Sequence, residues 1–329
     1  MEKLLQVKKL ETEFTKDKQK IKILHGVTFH INKGEVLGLV GESGSGKSLT
    51  SLSIMKLFKG TSGGISQGTI QFHEEELTTK SESEMRRIRG KQIAMIFQEP
   101  MTSLNPVMKI GEQLSEPIRI HLGLNDKQAK KHAISILKKV GIPRAEEILY
   151  EYPHQLSGGM RQRIMIAMAI SCNPELLIAD EPTTALDVTI QAQILDLIKQ
   201  LKQRENMSVL LITHDLGVVA EMCDRVVVMY SGRVVEEADV FDLFESPKHP
   251  YTKGLIGSVP KIGQKKDRLD SIKGNVPDPS NLPKGCKFSP RCKDAMPICS
   301  EKEPPEFILE NGRTCSCWLY NEERGGIRV

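Results

Sequence analysis

The octet Gly41-Glu42-Ser43-Gly44-Ser45-Gly46-Lys47-Ser48 constrains the fold of this chain more than any other stretch. It fits the phosphate-binding pattern G-x-x-x-x-G-K-[ST]. Residues 36–40 before it are apolar and read as a buried strand, and residues 49–58 after it read as a helix. Strand, loop and helix are the context the pattern requires. Glycines let the backbone curl so that successive N–H groups converge on phosphate oxygens. The helix behind them adds the partial positive charge of its N-terminus. Lys47 is expected to reach the β- and γ-phosphates of ATP, and the Ser48 hydroxyl to ligate Mg²⁺. The nucleotide-contacting set is then Gly41, Ser43, Gly44, Ser45, Gly46, Lys47, Ser48 and Leu49.

The surrounding chain supplies the frame for such a loop. Strand candidates lie near 4–7, 26–31 and 93–97, followed by helical periodicity at 110–120 and 128–140. Strands return at 176–179, 209–213 and 225–230, with helices at 160–171 and 189–205 between them. Such alternation implies an α/β fold, a largely parallel sheet covered on both faces, with a helical insert between its halves. The expected division is a RecA-like ATP-binding core over 1–98 and 161–240, a helical subdomain over 99–160, and a C-terminal extension over 241–329. Residues 260–285, rich in Pro, Gly, Asn and Lys, read as a linker or extended arm.

Four more residues complete a candidate hydrolytic site. Residues 176–181, Leu-Leu-Ile-Ala-Asp-Glu, form an apolar strand ending in two carboxylates. Asp180 is placed to hold Mg²⁺ through its water shell, and Glu181 to act as general base on the attacking water. Gln98, after the strand candidate at 93–97, is within reach of both metal and water. His214, after 209–213, is a candidate contact to the γ-phosphate. Surface capping is the alternative for Gln98 and His214.

Composition limits the partners. The net charge of +4 over 329 residues offers no electrostatic case for nucleic acid. The longest strongly apolar run, 164–170, is far short of the ~20 residues that cross a bilayer. The N-terminus carries no signal-peptide pattern, so the expected location is cytoplasmic unless a partner holds the chain at a membrane. Of seven cysteines, Cys172 and Cys223 lie in apolar segments and read as buried hydrophobes. The other five fall within the last 44 residues, a crowding that argues for metal before disulfide in a reducing compartment.

The motifs together identify a family resemblance. The phosphate loop, Phe97-Gln98-Glu99-Pro100, Leu156-Ser157-Gly158-Gly159-Met160-Arg161-Gln162, Asp180-Glu181, Ala185-Leu186-Asp187 and Thr213-His214-Asp215 occur in the order of the ABC-transporter ATPases. The chain resembles that family over about residues 1–240. The resemblance implies that Ser157, Gly158 and Gly159 open a helix whose N–H groups close over the γ-phosphate held by a second, opposed domain. It implies a sister ATPase subunit or a second copy as partner, with Asp187 at that interface. Phe14 lies where the family has an aromatic that stacks on adenine, plain core packing being the alternative.

Three further stretches resemble the dipeptide/oligopeptide (peptide/nickel) importers, and their D-type ATP-binding subunits in particular. They are Phe97 to Pro106, His249-Pro250-Tyr251-Thr252-Lys253, and the closing pattern Gly285-Cys286-Lys287-Phe288-Ser289-Pro290-Arg291-Cys292 with Cys299 and Cys317-Trp318. The implied setting is the cytoplasmic face of a membrane, docked on two permease subunits and served indirectly by an extracytoplasmic binding protein. Residues after Gln98 are the expected permease-docking surface. Cys286, Cys292, Cys299 and Cys317 are spaced C-x5-C-x6-C-x17-C. Such wide loops favour a [4Fe–4S] cluster over a single Zn²⁺ as the staple of a region with little core. Cys315 is the spare thiol and an alternative ligand. Two functional alternatives stay open: a soluble ABC ATPase acting on nucleic acid or ribosomes, and nickel rather than peptide as cargo.

Overall fold

The structure is a computed structural model that describes residues 2–58, 60–98, 103–184, 186–258 and 272–321. The chain divides into two units. A terminal unit gathers Glu2–Ile31, Val36–Thr78 and the described chain from Ile212 on, and a middle unit gathers Asn32–Glu35 and Thr79–Leu211.

The terminal unit opens with strands β1 (Lys3–Lys16), β2 (Gln19–Asn32) and β3 (Val36–Val40), helix α1 (Lys47–Ile54), and strands β4 (Gly63–Phe72) and β5 (Glu75–Glu76). Four of these strands form a sheet in the order β2-β1-β4-β5. Burial along β1 explains an irregularity in it. Leu5 and Val7 are buried at odd positions, whereas Leu10 and Thr12 are buried at even ones. That change of parity needs one extra residue, because side chains alternate strictly between faces. The β1/β4 register slips between Lys8 and Glu11, and Lys9 takes a left-handed φ of 48° there. Opposite, Gly68 has φ 90°, and a Cβ on it would lie 2.4 Å from the Lys9 carbonyl oxygen. This sheet is antiparallel between β1 and β4, unlike the largely parallel arrangement expected from the sequence.

The middle unit holds α2 (Glu82–Ile88), β6 (Ile93–Ile96), α3 (Ile110–Leu122), α4 (Asp126–Lys139), α5 (Ala145–Ile148), α6 (Gly158–Ile170), β7 (Leu176–Asp180), α7 (Val188–Glu205) and β8 (Ser208–Thr213). Here the strands run β8-β7-β6, with β6 and β7 parallel. All residues of β7 and β8 are buried, the signature of strands covered on both faces. The expected helices at 110–120 and 128–140 are α3 and α4. The latter starts at a capping box in which Asn125 accepts the Gln128 N–H and Gln128 accepts the Asn125 N–H. Ile110, Leu114 and Ile118 on α3, and Ala129, Ala133, Ile136 and Leu137 on α4, form the buried stripes through which the helices pack.

β8 returns the chain to the terminal unit, which continues with α8 (Leu216–Met222), β9 (Arg225–Tyr230), β10 (Arg233–Asp239), α9 (Val240–Glu245), α10 (Pro250–Gly257), α11 (Pro297–Glu301), β11 (Phe307–Ile308) and β12 (Thr314–Cys315). The strands run β11-β12-β10-β9-β3, with β3 and β9 parallel and the rest antiparallel. Gly38 in β3 makes room for Cys223: a Cβ there would lie 2.8 Å from its sulfur. Cys172 and Cys223 are both buried, as expected.

The C-terminal module joins β10 through a buried carboxylate. Glu236 accepts the N–H groups of Lys248 and His249, each at 2.8 Å, and a guanidinium N–H of Arg313 at 3.1 Å. Of the linker expected over 260–285, residues 260–271 lie outside the described residues. No helix among the described residues is long and apolar enough to cross a membrane.

Candidate active site

In the terminal unit the phosphate loop runs from the end of β3 into α1. Gly41, Gly44 and Gly46 hold φ of 153°, 80° and 100°, which side-chain-bearing residues adopt only with strain. A Cβ on Gly41 would lie 2.2 Å from the Met229 carbonyl oxygen, and one on Gly46 2.7 Å from Leu24 Cδ2. Ser43 and Gly44 form the exposed crest. Lys47 is buried, and its Nζ donates to the carbonyl oxygens of Gly41 at 2.8 Å and Glu42 at 3.1 Å. The Ser45 hydroxyl is buried without a hydrogen-bond partner among the described residues. Ser48 and Leu49 follow in the first turn of α1, which contains no acidic residue. Nothing in that turn therefore competes with an anion for the N-terminal N–H groups. A curl of left-handed glycines, a buried ammonium and an acid-free helix start together suit a nucleotide's phosphate chain.

In the middle unit, buried Asp180 ends β7 and Glu181 follows with a left-handed φ of 47°. Glu181 Oε2 accepts two hydrogen bonds, from the Gln98 amide at 2.8 Å and the Thr184 hydroxyl at 2.9 Å. The structure thus brings Gln98 and Glu181 together. Thr184 is a contact the sequence reading missed, though its position three residues after Glu181 was the available signal. Gln162, in the segment after Ser157-Gly158-Gly159, is fully buried and donates to the Pro182 carbonyl. One side chain therefore ties helix α6 to the turn after Asp180 and Glu181.

That helix begins where the Ser-Gly-Gly segment predicts. Ser157 is its N-cap, accepting the Met160 N–H at 3.3 Å, and Ser157 and Gly158 are exposed. A Cβ on Gly158 would meet nothing within 4 Å, whereas one on Gly159 would come within 3.1 Å of Ile190. Asp187 caps α7 by accepting the Ile190 N–H at 2.9 Å. Ala185 and residues 99–102, part of two quoted motifs and of the expected docking surface, lie outside the described residues.

Two expected contacts belong to the terminal unit. His214 is exposed at the end of β8, beside Asp215, whose carboxylate caps α8 by accepting the Gly217 N–H at 2.8 Å. Phe14 is partly exposed on β1, edge-on to Phe58 with centroids 6.4 Å apart. A Cβ on Gly63 would lie 2.3 Å from the Phe14 ring, so the glycine keeps space for it.

Cys286, Cys292, Cys299 and Cys317 line one small cavity with Phe288 and Trp318. Among the described residues, no three His, Cys, Asp or Glu side chains form a group arranged to hold a metal ion. The fit of these residues to a metal group thus rests on the donor set. Burial pushes the Cys292 thiol up to about 11 and the Cys317 thiol up to about 12. Burial raises Cys286 as well. All three are protonated at neutral pH unless a cation offsets the desolvation of the thiolate. Cys315 does not line that cavity. It is fully buried, packed with Cys317, Tyr320, Phe307 and Leu309, and burial pushes its thiol far up.

Comparison with known proteins places these features in a family. The family model described as ABC transporter matches residues 24–184, and that of the oligopeptide/dipeptide transporter C-terminal region matches residues 235–299. The chain is 57% identical over 323 residues to the oligopeptide transport ATP-binding protein AppD of Bacillus subtilis (strain 168), covering 98% of both chains. It is 49% identical to the dipeptide transport ATP-binding protein DppD of the same organism, covering 98% of this chain and 96% of that one. Among solved structures, the dimeric post-hydrolysis state of the ATP-binding cassette MJ0796 bound to ADP and Pi superposes with a TM-score of 0.64. That cassette is 27% identical, and the match covers 72% of this chain and 98% of the cassette.

Proposed function

The chain belongs to the ATP-binding subunits of ABC peptide transporters, and on that premise we propose that it hydrolyses ATP to drive di- or oligopeptide import through a separate membrane permease. The observation that carries the reading is the phosphate loop, with its three left-handed glycines and Lys47 drawn onto the Gly41 and Glu42 carbonyls.

The family motifs give each residue its part. Gly41 to Leu49 cradle the phosphates, and Lys47 moves from the loop carbonyls to the β- and γ-phosphate oxygens. Phe14 stacks on the adenine. Ser48, Gln98 and Asp180 are the residues that would hold Mg²⁺, which offsets charge on the transferring phosphoryl group. Glu181 accepts the proton of the attacking water, with Gln98 and Thr184 orienting its carboxylate. His214 contacts the γ-phosphate. Ser157, Gly158 and Gly159 serve the nucleotide of an opposed ATPase, a sister subunit or a second copy, and Asp187 lies at that interface. The partners are two permease subunits at the cytoplasmic face of the membrane, with an extracytoplasmic binding protein delivering cargo.

By its motifs the chain divides into a core over 1–98 and 161–240, a helical subdomain over 99–160 and an extension over 241–329. Within the extension, Cys286, Cys292, Cys299 and Cys317 would hold a [4Fe–4S] cluster that staples the module, Zn²⁺ being the alternative. The cavity the four thiols share supports this assignment.

The deciding experiment measures nucleotide binding and turnover of the full chain, reconstituted with its permease, for the parent, Glu181→Gln and Lys47→Ala. Glu181→Gln is expected to bind ATP as the parent does with turnover reduced at least ~100-fold, and Lys47→Ala to lose both. Undiminished turnover in Glu181→Gln overturns the assignment of the base. Co-purification of ribosomes or nucleic acid in place of permease subunits overturns the importer reading.

A further inference from the structure

The acidic member of the phosphate loop, Glu42, is gripped by the C-terminal module. The Arg291 guanidinium forms a two-pronged ion pair with its carboxylate, Nη1 to Oε2 at 2.6 Å and Nη2 to Oε1 at 3.0 Å. The Arg291 side chain is 5% exposed, so the guanidinium is largely shielded from water. Arg291 is itself fixed by donating from Nε to the Lys273 carbonyl at 3.1 Å. The Glu42 N–H donates to the hydroxyl of fully buried Tyr251 at 2.8 Å. The Glu42 carbonyl accepts the Ser45 N–H and the Lys47 ammonium, both at 3.1 Å. One residue of the loop is thus held at its side chain, its N–H and its C=O.

A carboxylate in a loop that binds a polyphosphate is an electrostatic liability. Left unpaired, it repels the phosphates and competes with them for Lys47. A bidentate guanidinium cancels that charge and fixes the direction of the side chain, which a lysine's single ammonium does less well. We propose that Arg291 and Tyr251 are positioning residues for the phosphate loop, holding Glu42 neutralised and in register so that ATP affinity depends on the C-terminal module. This rests on the ATP-site reading above. Arg291 directly precedes Cys292, so the clamp is carried by the cysteine-rich segment itself.

The test titrates a fluorescent ATP analogue against the full-length chain and its variants, with thermal unfolding recorded for each. Arg291→Ala is expected to raise the Kd about tenfold. Arg291→Lys falls between it and the parent. Tyr251→Phe, which keeps the ring and removes only the acceptor, is expected to raise the Kd by about threefold. Adding Glu42→Gln to Arg291→Ala brings the Kd back toward the parent, because the unpaired charge is gone. A purely structural loss in the module gives no such recovery. Affinities of Arg291→Ala and Tyr251→Phe within twofold of the parent overturn the proposal, as does a double variant weaker than Arg291→Ala alone. A parent that binds the analogue without needing Lys47 overturns the ATP-site reading, and this clamp with it.

Discussion

The amide of Gln98 donates a 2.8 Å hydrogen bond to Oε2 of Glu181, the same oxygen that accepts the Thr184 hydroxyl at 2.9 Å. Both donors converge on one carboxylate oxygen of a residue whose backbone is left-handed, at φ 47°. Glu181, the general base proposed above, is thus fixed from two sides and presents its carboxylate in one orientation, which is what proton acceptance from a positioned water requires.

Loss of either donor is therefore expected to lower turnover with little change in ATP affinity. Gln98→Ala should reduce kcat by about 10- to 100-fold, since Gln98 is also assigned to the metal. Thr184→Val, which removes only a hydroxyl, should reduce it by a few-fold. Steady-state ATPase assays on the permease-bound protein separate kcat from KM. A rise confined to KM would move both residues from chemistry to binding.

The thiols give a second prediction. With the four thiols as the proposed cluster ligands, Cys286→Ser is expected to purify without the iron of the parent and to leave the chain from Pro250 onward open to limited proteolysis. Cys315→Ser is expected to keep the metal of that proposed site, because Cys315, although it packs with Cys317, does not line the cavity the four thiols share. Iron and sulfide analysis of anaerobically purified protein reads both. Iron lost from Cys315→Ser and kept in Cys286→Ser would invert the ligand set.

Acid should weaken the fold through two histidines. Burial holds His249 down to about 3 and His25 down to about 4, from an ordinary value of 6.5. Both are neutral when folded, so the unfolded chain binds more protons as pH falls below about 6.5. Their contribution is complete above that pH and is lost progressively toward 4 for His25 and 3 for His249. The slope for fully buried His249 is about 1.4 kcal/mol per pH unit. His249 Nδ1 also accepts the Tyr251 N–H at 3.1 Å to cap α10, a task asparagine performs without the titration. Urea unfolding between pH 7.5 and 5 should show a shallower loss for His249→Asn than for the parent. Parallel curves would remove His249 as the source.

Gly38→Ala should destabilise the protein by about 1–3 kcal/mol, because its Cβ would sit 2.8 Å from the Cys223 sulfur. Cys223→Ala should relieve most of that loss when combined with it, a coupling that thermal or urea unfolding reads directly. Additive losses would show that strand β3 yields elsewhere.

The phosphate loop and the helix start at Ser157 were legible because each depends on residues within a few positions of one another. Strands β3 and β9, and helices α3 and α4, were legible from apolar runs and periodicity. The antiparallel sheet of the terminal unit was not. Its pairing of β1 with β4 is long-range, and the inward pattern of β1 changes parity at Lys9, which blurs the alternation a reader looks for. The grip on Glu42 was hidden for a related reason: Arg291 lies 249 positions away, and nothing in its neighbourhood names its partner. Buried Glu236, an acidic residue in a segment without clear periodicity, became legible only once the N–H groups of Lys248 and His249 and the Arg313 guanidinium were seen around it.

The attachment of the C-terminal module to β10 has a consequence for the bare cassette. Without the module, the seven residues of β10, Arg233–Asp239, would end the terminal unit's sheet as an open edge. β12 and β11 cover part of that edge, and each is only two residues long. A strand so short leaves a stray chain almost no ladder on which to add. The module thus acts as a stopper against edge-to-edge association, and a chain cut back to the cassette alone would carry a sticky border into a crowded cell.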